Sequence, residues 1–386
     1  MPARCIAAQT RAADAAAAAA DLAAPVRGAA PSFGFIACSV GYDVNALRTE
    51  LARALPGTPF VGVTSCQSVV SGSGLLRGQA ASALWLTGAR AAVVSEAVTA
   101  PDEAQGRRLA KAATAAMGAT VHTRVALFHG TPGCEESLFR GAGLELGPKV
   151  ALLGGSAADD DISGKWSVFT HEQRLTSGAA LALIEWPGKL AAPFVSGAMP
   201  TEHKGTVTRS EGRMILEIDG KPAAEVYNGW MGNALKGALE AGGVILGDTT
   251  LSPLGVVRPG GLTLVHPERI VLPQRALSTF AEVKVGETVT LVRSTKVGLQ
   301  GRPANMVMRA LGESGIQPNA LQGVLLVYCA GCMLAIEPSA DAMVSSLQSV
   351  IGKVPMAGAF HFGEQGCPAP GRPEHGNLMT GALLLA

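Results

Sequence analysis

The chain has 386 residues, of which 48% are hydrophobic and 16% are charged, and its formal net charge at pH 7 is +1. At about 100–200 residues per domain, this length predicts two domains, each large enough to bury a core of its own. The balanced charge excludes the lysine- and arginine-rich face of a nucleic-acid-binding protein. No apolar run reaches the roughly 18 residues that a membrane-spanning helix needs.

Residues 1–32 are rich in alanine and predict a helix on the surface. Arg4, Arg11, Asp14 and Asp21 interrupt this segment, so it lacks the uninterrupted apolar block of a secretory signal. The chain has seven cysteines, an odd number, in a protein long enough to fold without disulfides. We therefore expect reduced thiols and a cytoplasmic location.

A recurring unit follows this segment. An apolar strand ends in small or polar residues, a helix comes next, and a second strand, a glycine-rich polar loop and a third strand complete the unit. The strands are predicted at 33–43, 59–66 and 78–86 in the first unit, at 125–129, 149–161 and 177–186 in the second, and at 323–332, 354–367 and 380–386 in the third.

Continuous runs of Val, Ile, Leu and Ala predict strands that are covered on both faces of their sheets. The fold class is therefore α/β, with two domains built from recurring strand-helix-strand-strand units and mixed sheets. We place the boundary between the two domains near Pro200, which gives an N-terminal helix at 1–32 and domains at 33–200 and 201–386. Ligands of α/β folds bind at the carboxyl ends of strands, where this chain has its glycine-rich loops.

Four stretches of the sequence resemble the FIST family of sensory domains. They are "VGVTSCQSV" and "LLGGSAADDD…SGAALALI" in the first half, and "VTRSEGRMILEIDGKPAAEVY" and "FHFGEQGCP…HGNLMTGALLL" in the second. The resemblance implies a FIST N-type domain at 33–200 and a FIST C-type domain at 201–386. It also implies a module that senses small molecules such as amino acids, with a signalling partner such as a histidine kinase in a separate chain. Some relatives are haem-based nitric-oxide sensors.

One position departs from the family pattern. Where the family carries an arginine after "C-x-G", this chain has Cys332. An arginine fork is suited to a ligand carboxylate, so its replacement by a thiol changes the chemistry that the resemblance implies.

Our leading hypothesis is a ligand pocket built from the strand-end loops of both halves. Its predicted residues are small, polar or thiol-bearing: Ser65, Cys66, Gly155 and Ser156 from the first half, and Cys329, Cys332, His361, Glu364 and Asn377 from the second.

Three alternatives use some of the same residues. A zinc or copper site would take Cys329, Cys332, His361 and Cys367 as ligands. An enzyme catalysing acyl transfer or hydrolysis would use Cys329 or Cys332 as the nucleophile, His361 as the base, and Glu364 to orient that base or act as an acid. A haem-based sensor would need an axial ligand such as His129 or His361.

The sequence disfavours a thioredoxin-type redox pair. Such a pair opens a helix directly, whereas here the helix after Cys329 and Cys332 is predicted to begin only at a cap on Ser339. The remaining histidines considered, His122, His171, His203 and His266, are predicted to lie on the surface.

Overall fold

In a computed structural model that describes residues 3–386, the chain folds into three copies of one unit and an inserted antiparallel sheet. The two residues that precede this range, which belong to the predicted helix at 1–32, lie outside the described residues. The α/β class with mixed sheets is confirmed, because each unit pairs its first two long strands in parallel and adds its third antiparallel to the first.

The first unit spans residues 4–87 and begins with a strand at the edge of its sheet. Its elements are β1 Arg4–Thr10, α1 Ala15–Ala23, β2 Phe33–Ser39, α2 Val44–Ala54, β3 Phe60–Ser65, β4 Ser68–Ser71, β5 Gly74–Arg77 and β6 Ala81–Thr87, with a 3₁₀ turn at Ala24–Val26.

The second unit repeats this order. Its elements are β7 Arg90–Ala97, α3 Glu103–Met117, β8 Thr123–Gly130, α4 Glu135–Leu146, β9 Ala151–Gly155, β10 Val168–Thr170, β11 Arg174–Leu175 and β12 Gly178–Trp186.

The third unit is split by the inserted sheet. It begins with β13 Leu190–Ala191 and β14 Phe194–Val195, and the insertion follows: β15 Met199–Glu211, β16 Met214–Ile218, β17 Lys221–Pro222, α5 Ala223–Trp230, α6 Lys236–Ala241, β18 Gly243–Val244, α7 Leu246–Thr249, β19 Leu254–Arg258, β20 Gly261–Val265, β21 Pro267–Val271, β22 Ala276–Thr279 and β23 Thr288–Arg293. The unit then resumes with α8 Lys296–Ser314, a 3₁₀ turn at Pro318–Ala320, β24 Gly323–Cys329, α9 Ala330–Ile336, α10 Asp341–Ile351, β25 Met356–His361, β26 Glu364–Ala369, β27 Arg372–Gly376 and β28 Thr380–Leu385.

The units exchange hairpins in a cycle. The strand orders are β1-β6-β2-β3-β10-β11, β7-β12-β8-β9-β26-β27 and β13-β28-β24-β25-β4-β5. The hairpin of the first unit therefore completes the sheet of the third, that of the third completes the second, and that of the second completes the first. The three sheets share one buried core, while α1 with α2 and α3 with α4 cover the outer faces of the first two sheets.

Two predictions about helices are wrong. Residues 4–10 form an edge strand paired with β6, because the sheet offers backbone hydrogen bonds that outweigh the helical propensity of alanine. Helix α1 begins only after Asp14, whose carboxylate accepts hydrogen bonds from the N–H groups of Ala16 and Ala17, and one side of that helix is buried. The helix after β24 begins at Ala330, and Ser339 caps no helix.

The predicted boundary near Pro200 falls inside a strand, β15. Strands from the last quarter of the chain complete a sheet of the first half, and strands from residues 68–77 complete a sheet of the second half. The two halves of the chain are therefore interlocked. Within residues 3–386, no helix combines the length and the apolar character that crossing a bilayer requires.

Candidate functional site

A cavity of about 540 Å³ lies where the three units and the inserted segment meet. Its floor is formed by the carboxyl ends of β24 and β25 and by the loop after β3, and one wall is helix α9. Its opposite wall comes from the inserted segment, including Leu246, Leu251 and Phe280. Of the predicted pocket residues, Cys66, Cys329, His361 and Asn377 line it.

Cys329 is the last residue of β24 and the residue immediately before α9. The parallel register of β24 and β25 places it opposite His361. Burial is the main cause that raises the pKa of the Cys329 thiol well above its ordinary value, and the neighbouring Cys332 side chain raises it further. The backbone N–H groups of Cys332 and Leu378 point at the sulfur and act in the opposite direction.

Glu364 lies beside the Cys329 thiol without lining the cavity. Its carboxyl group is completely buried, and Oε2 accepts a hydrogen bond of 2.9 Å from the backbone N–H of Met379. Oε1 has no hydrogen-bond partner. Burial, followed by the adjacent Cys329 thiol, raises the pKa of Glu364 well above its ordinary value of 4.5.

Cys332 lies one turn into α9, fully buried behind Cys329. The Nη1 atom of Arg302, on α8, is 3.9 Å from its sulfur and donates a hydrogen bond to the carbonyl of Leu378. Although the family's arginine is missing from the sequence position of Cys332, a guanidinium group from another helix therefore lies against this thiol. Arg302 carried no signal in the sequence, because the contact depends on how α8 packs on α9.

Two buried histidines stack behind the floor. The rings of His129 and His361 have centroids 5.7 Å apart, and their Nδ1 atoms donate hydrogen bonds of 3.0 Å to the carbonyls of Gly155 and Ser156. These bonds leave each Nε2 as a hydrogen-bond acceptor, and neither Nε2 has a partner. Burial lowers the pKa of His129 to about 4 and that of His361 to about 3.

Gly155 and Ser156 support His361 and do not line the cavity. A Cβ atom on Gly155 would lie 2.2 Å from the His361 ring, so only glycine leaves room for it. The Ser156 hydroxyl accepts a hydrogen bond of 3.0 Å from Gln365. Ser65 also lies away from the cavity: its hydroxyl donates to the carbonyl of Ser68 and accepts from the N–H of Phe360, which ties the first unit to the third.

His266 was predicted to lie on the surface, and that prediction is wrong. It is buried, it lines the cavity, and burial lowers its pKa to about 4. Its backbone N–H donates to Oδ1 of Asn377 at 3.2 Å, and Nδ2 of Asn377 has no partner. The missed signal is that His266 directly follows strand β20, because His129 drew attention by a similar position, near the end of β8.

Cys367 is not brought to the other predicted metal ligands. It packs against the core between α3, α4 and their sheet, where its sulfur meets the backbone N–H groups of Leu152 and Arg372. Across residues 3–386, no three His, Cys, Asp or Glu side chains are grouped as a metal ion would require. All seven cysteines are free thiols.

The sequence comparisons agree with this architecture. A FIST N domain model matches residues 32–221, and a FIST C domain model matches residues 223–367. The chain belongs to the FIST family. FIST domains are sensory modules that bind small molecules and often occur in signalling proteins.

The relatives of this FIST protein include two uncharacterized proteins, from Mycobacterium bovis and Mycobacterium tuberculosis. Each is 26% identical over 243 residues, which cover 62% of this chain and 61% of the relative's length. Among solved structures, a cyanuric acid hydrolase from A. caulinodans overlaps the whole of both chains with 11% identity and a TM-score of 0.39.

Proposed function

We propose that this FIST protein is a sensory module whose small-molecule ligand occupies the cavity above Cys329 and His361. The observation that carries the proposal is the cavity itself, because pockets of about 300–1,000 Å³ with apolar walls and a few convergent polar groups are typical ligand sites. Four polar or thiol side chains converge at its base: Cys66, Cys329, His266 and Asn377. A groove of about 1100 Å³ elsewhere is more open, and none of the predicted site residues lines it.

The charges at the mouth indicate what the ligand carries. Glu337 is paired with Arg77 at 3.0 Å, Asp161 is 3.7 Å from Lys165, and Asp160 accepts a hydrogen bond from the backbone N–H of Gln67. Lys296, by contrast, forms no ion pair with any residue of the described chain. Asp160 likewise forms no ion pair within the described residues, so the mouth offers one unpaired charge of each sign, and a ligand with an apolar body and an anionic group would pair with Lys296.

The output of the sensor would come from a partner chain such as a histidine kinase, and the seven reduced thiols favour a cytoplasmic location. Neither of the two predicted axial ligands of haem offers an accessible nitrogen atom in this cavity. His129 does not line the cavity, and Nε2 of His361 is covered by protein atoms.

A second candidate function is an enzyme that uses Cys329 as its nucleophile. It is favoured by one contact, that of the Cys329 thiol with Glu364, a carboxyl group able to exchange a proton with it. His361 is less suited to be the base, because its Nε2 makes no hydrogen bond to either thiol.

Ligand binding can be tested by thermal shift with a library of small carboxylates, followed by calorimetry. A ligand at 100 times its Kd stabilises the folded chain by about 2.7 kcal/mol. We expect Ala335→Trp, which places an indole in the cavity, to abolish the shift, and Met308→Trp, on an exposed turn of α8, to leave it unchanged. The proposal fails if every stabilising compound acts equally on Ala335→Trp.

A further inference from the structure

We propose that Cys329 and Cys332 form a redox-active dithiol that reduces small organic disulfides entering the cavity. This inference rests on the proposed function in one respect only, that the cavity admits small molecules. The two thiols lie beside each other, one lining the cavity and the other fully buried directly behind it. That order matches an attacking thiol in front and a resolving thiol behind.

The start of helix α9 removes the reason for which the sequence disfavoured a redox pair, namely a helix that begins only near Ser339. Cys329 immediately precedes α9 and Cys332 is its third residue, so both side chains belong to a single turn. Two cysteines separated by two residues within one turn are close enough to be bridged with little movement of the backbone. The predicted gap between the motif and its helix does not exist.

Two further groups support proton and charge transfer at the sulfurs. Oε1 of the buried Glu364 carboxyl group has no hydrogen-bond partner, and this carboxyl group lies beside the Cys329 thiol, so the two groups are placed to exchange a proton. The Arg302 guanidinium lies 3.9 Å from the Cys332 sulfur, so a positive charge adjoins the second thiol. Cys329 therefore has a carboxyl group beside it, and Cys332 has a guanidinium group beside it.

The reaction is an ordinary two-step exchange. The Cys329 sulfur attacks one sulfur of a disulfide R–S–S–R, the S–S bond breaks, and one RSH leaves with the proton that Cys329 gives up. The Cys332 sulfur then attacks the Cys329 sulfur, which releases the second RSH with the proton of Cys332. The two protein thiols are oxidised to one disulfide, and the small disulfide is reduced to two thiols.

Cys66 provides a matched control, because its thiol lines the same cavity and the Cys329 thiol is close enough to contribute to its raised pKa. Burial raises the pKa of Cys66 to about 12, and it has no adjacent cysteine in the chain. If Cys66 were the resolving thiol, its loss would trap an adduct on Cys329. If Cys332 is the resolving thiol, only the loss of Cys332 does so.

The test treats the native, reduced protein with dithiobis(nitrobenzoate), which releases a coloured thiolate, and follows intact mass and peptide maps. We expect two thiolates released for each disulfide formed, a mass lower by two hydrogens, and a peptide with Cys329 bonded to Cys332. Cys332→Ser should retain one mixed disulfide on Cys329, Cys329→Ser should lose the fast release, and Cys66→Ser should behave as the wild type.

A stable adduct on the wild-type chain, or an adduct trapped in Cys66→Ser and not in Cys332→Ser, would overturn the assignment. The wild-type peptide map decides the question even if a variant misfolds. Ala335→Trp separates the two proposals: unchanged exchange in this variant refutes access through the cavity and leaves the dithiol intact. Ligand stabilisation without any exchange in the wild type refutes the dithiol alone.

Discussion

Acid should destabilise this protein strongly, because burial lowers the pKa of four imidazoles: that of His375, and most strongly those of His129, His266 and His361. Burial lowers the pKa of His129 and His266 to about 4 and that of His361 to about 3, from an ordinary value of 6.5. Such an imidazole binds fewer protons in the folded chain than in the unfolded chain. Its contribution to stability is therefore complete above pH 6.5 and is lost as the pH falls toward the folded pKa.

The size of the effect follows from these values. Between pH 7.5 and pH 5, each of the three most strongly shifted imidazoles removes about 2 kcal/mol from the free energy of unfolding, or about 6 kcal/mol for the three. Glu364 acts with the opposite sign. Because its pKa is raised in the folded chain, the free energy of unfolding falls as the pH rises from the unfolded pKa toward the folded pKa. This carboxyl group therefore offsets part of that loss.

Urea unfolding at pH 7.5, 6 and 5 measures this loss directly. His129→Gln keeps an amide that can donate to the carbonyl of Gly155 and cannot take up a proton, so its stability should fall by about 2 kcal/mol less than that of the wild type over this range. His122→Gln, at an exposed position, should follow the wild type. Equal pH dependence in His129→Gln and the wild type would refute the assignment of a buried, neutral His129.

Two further substitutions probe packing and charge. Gly155→Ala should lower the free energy of unfolding by about 1–3 kcal/mol, because the new Cβ atom would overlap the ring of His361. Gly312→Ala, in an exposed turn of α8, is the control and should raise the free energy of unfolding by about 0.5–1 kcal/mol. A neutral result for Gly155→Ala in urea unfolding would contradict the tight stacking. Glu185→Ala, which leaves the buried Arg124 without its partner at 3.1 Å, should cost about 3–5 kcal/mol, and a loss below about 1 kcal/mol would show that this ion pair does not hold β12 to β8.

The sequence was sufficient to predict the repeated unit, because each long strand is a continuous apolar run followed by glycine or small polar residues. The runs ending near Ser39, His129 and Cys329 correspond to β2, β8 and β24, and each pairs in parallel with the next long strand of its unit. Strands that are buried on both faces give a strong signal that does not depend on distant parts of the chain.

Tertiary packing decided the features that the sequence did not reveal. Residues 4–10 have helical propensity and become a strand, because β6 offers them an edge. Helix α9 begins directly after Cys329 even though Pro338 follows shortly, since a seven-residue helix fits before it. A polar or turn-like sequence context predicts His266 on the surface, whereas β20 carries it into the cavity wall.

The cyclic exchange of hairpins explains why the site could be recognised only in part. β26, which carries Glu364, leaves the sheet of its own unit and pairs with β9, in the register that sets Glu364 opposite Gly155. That pairing brings the carboxyl group of the third unit to the same layer as the histidines of the second and third units.

The sequence of the third unit alone places Cys329, His361 and Glu364 together, because these residues are close in sequence. The sequence indicated Gly155 and Ser156 as pocket residues, and only the fold shows that they orient His361, more than 200 residues away, through its Nδ1 hydrogen bond and the room that the glycine leaves for its ring. The chemistry at Cys329 therefore depends on the exchange itself, and a change that loosens β26 from β9 should alter the reactivity of Cys329 before it unfolds the third sheet.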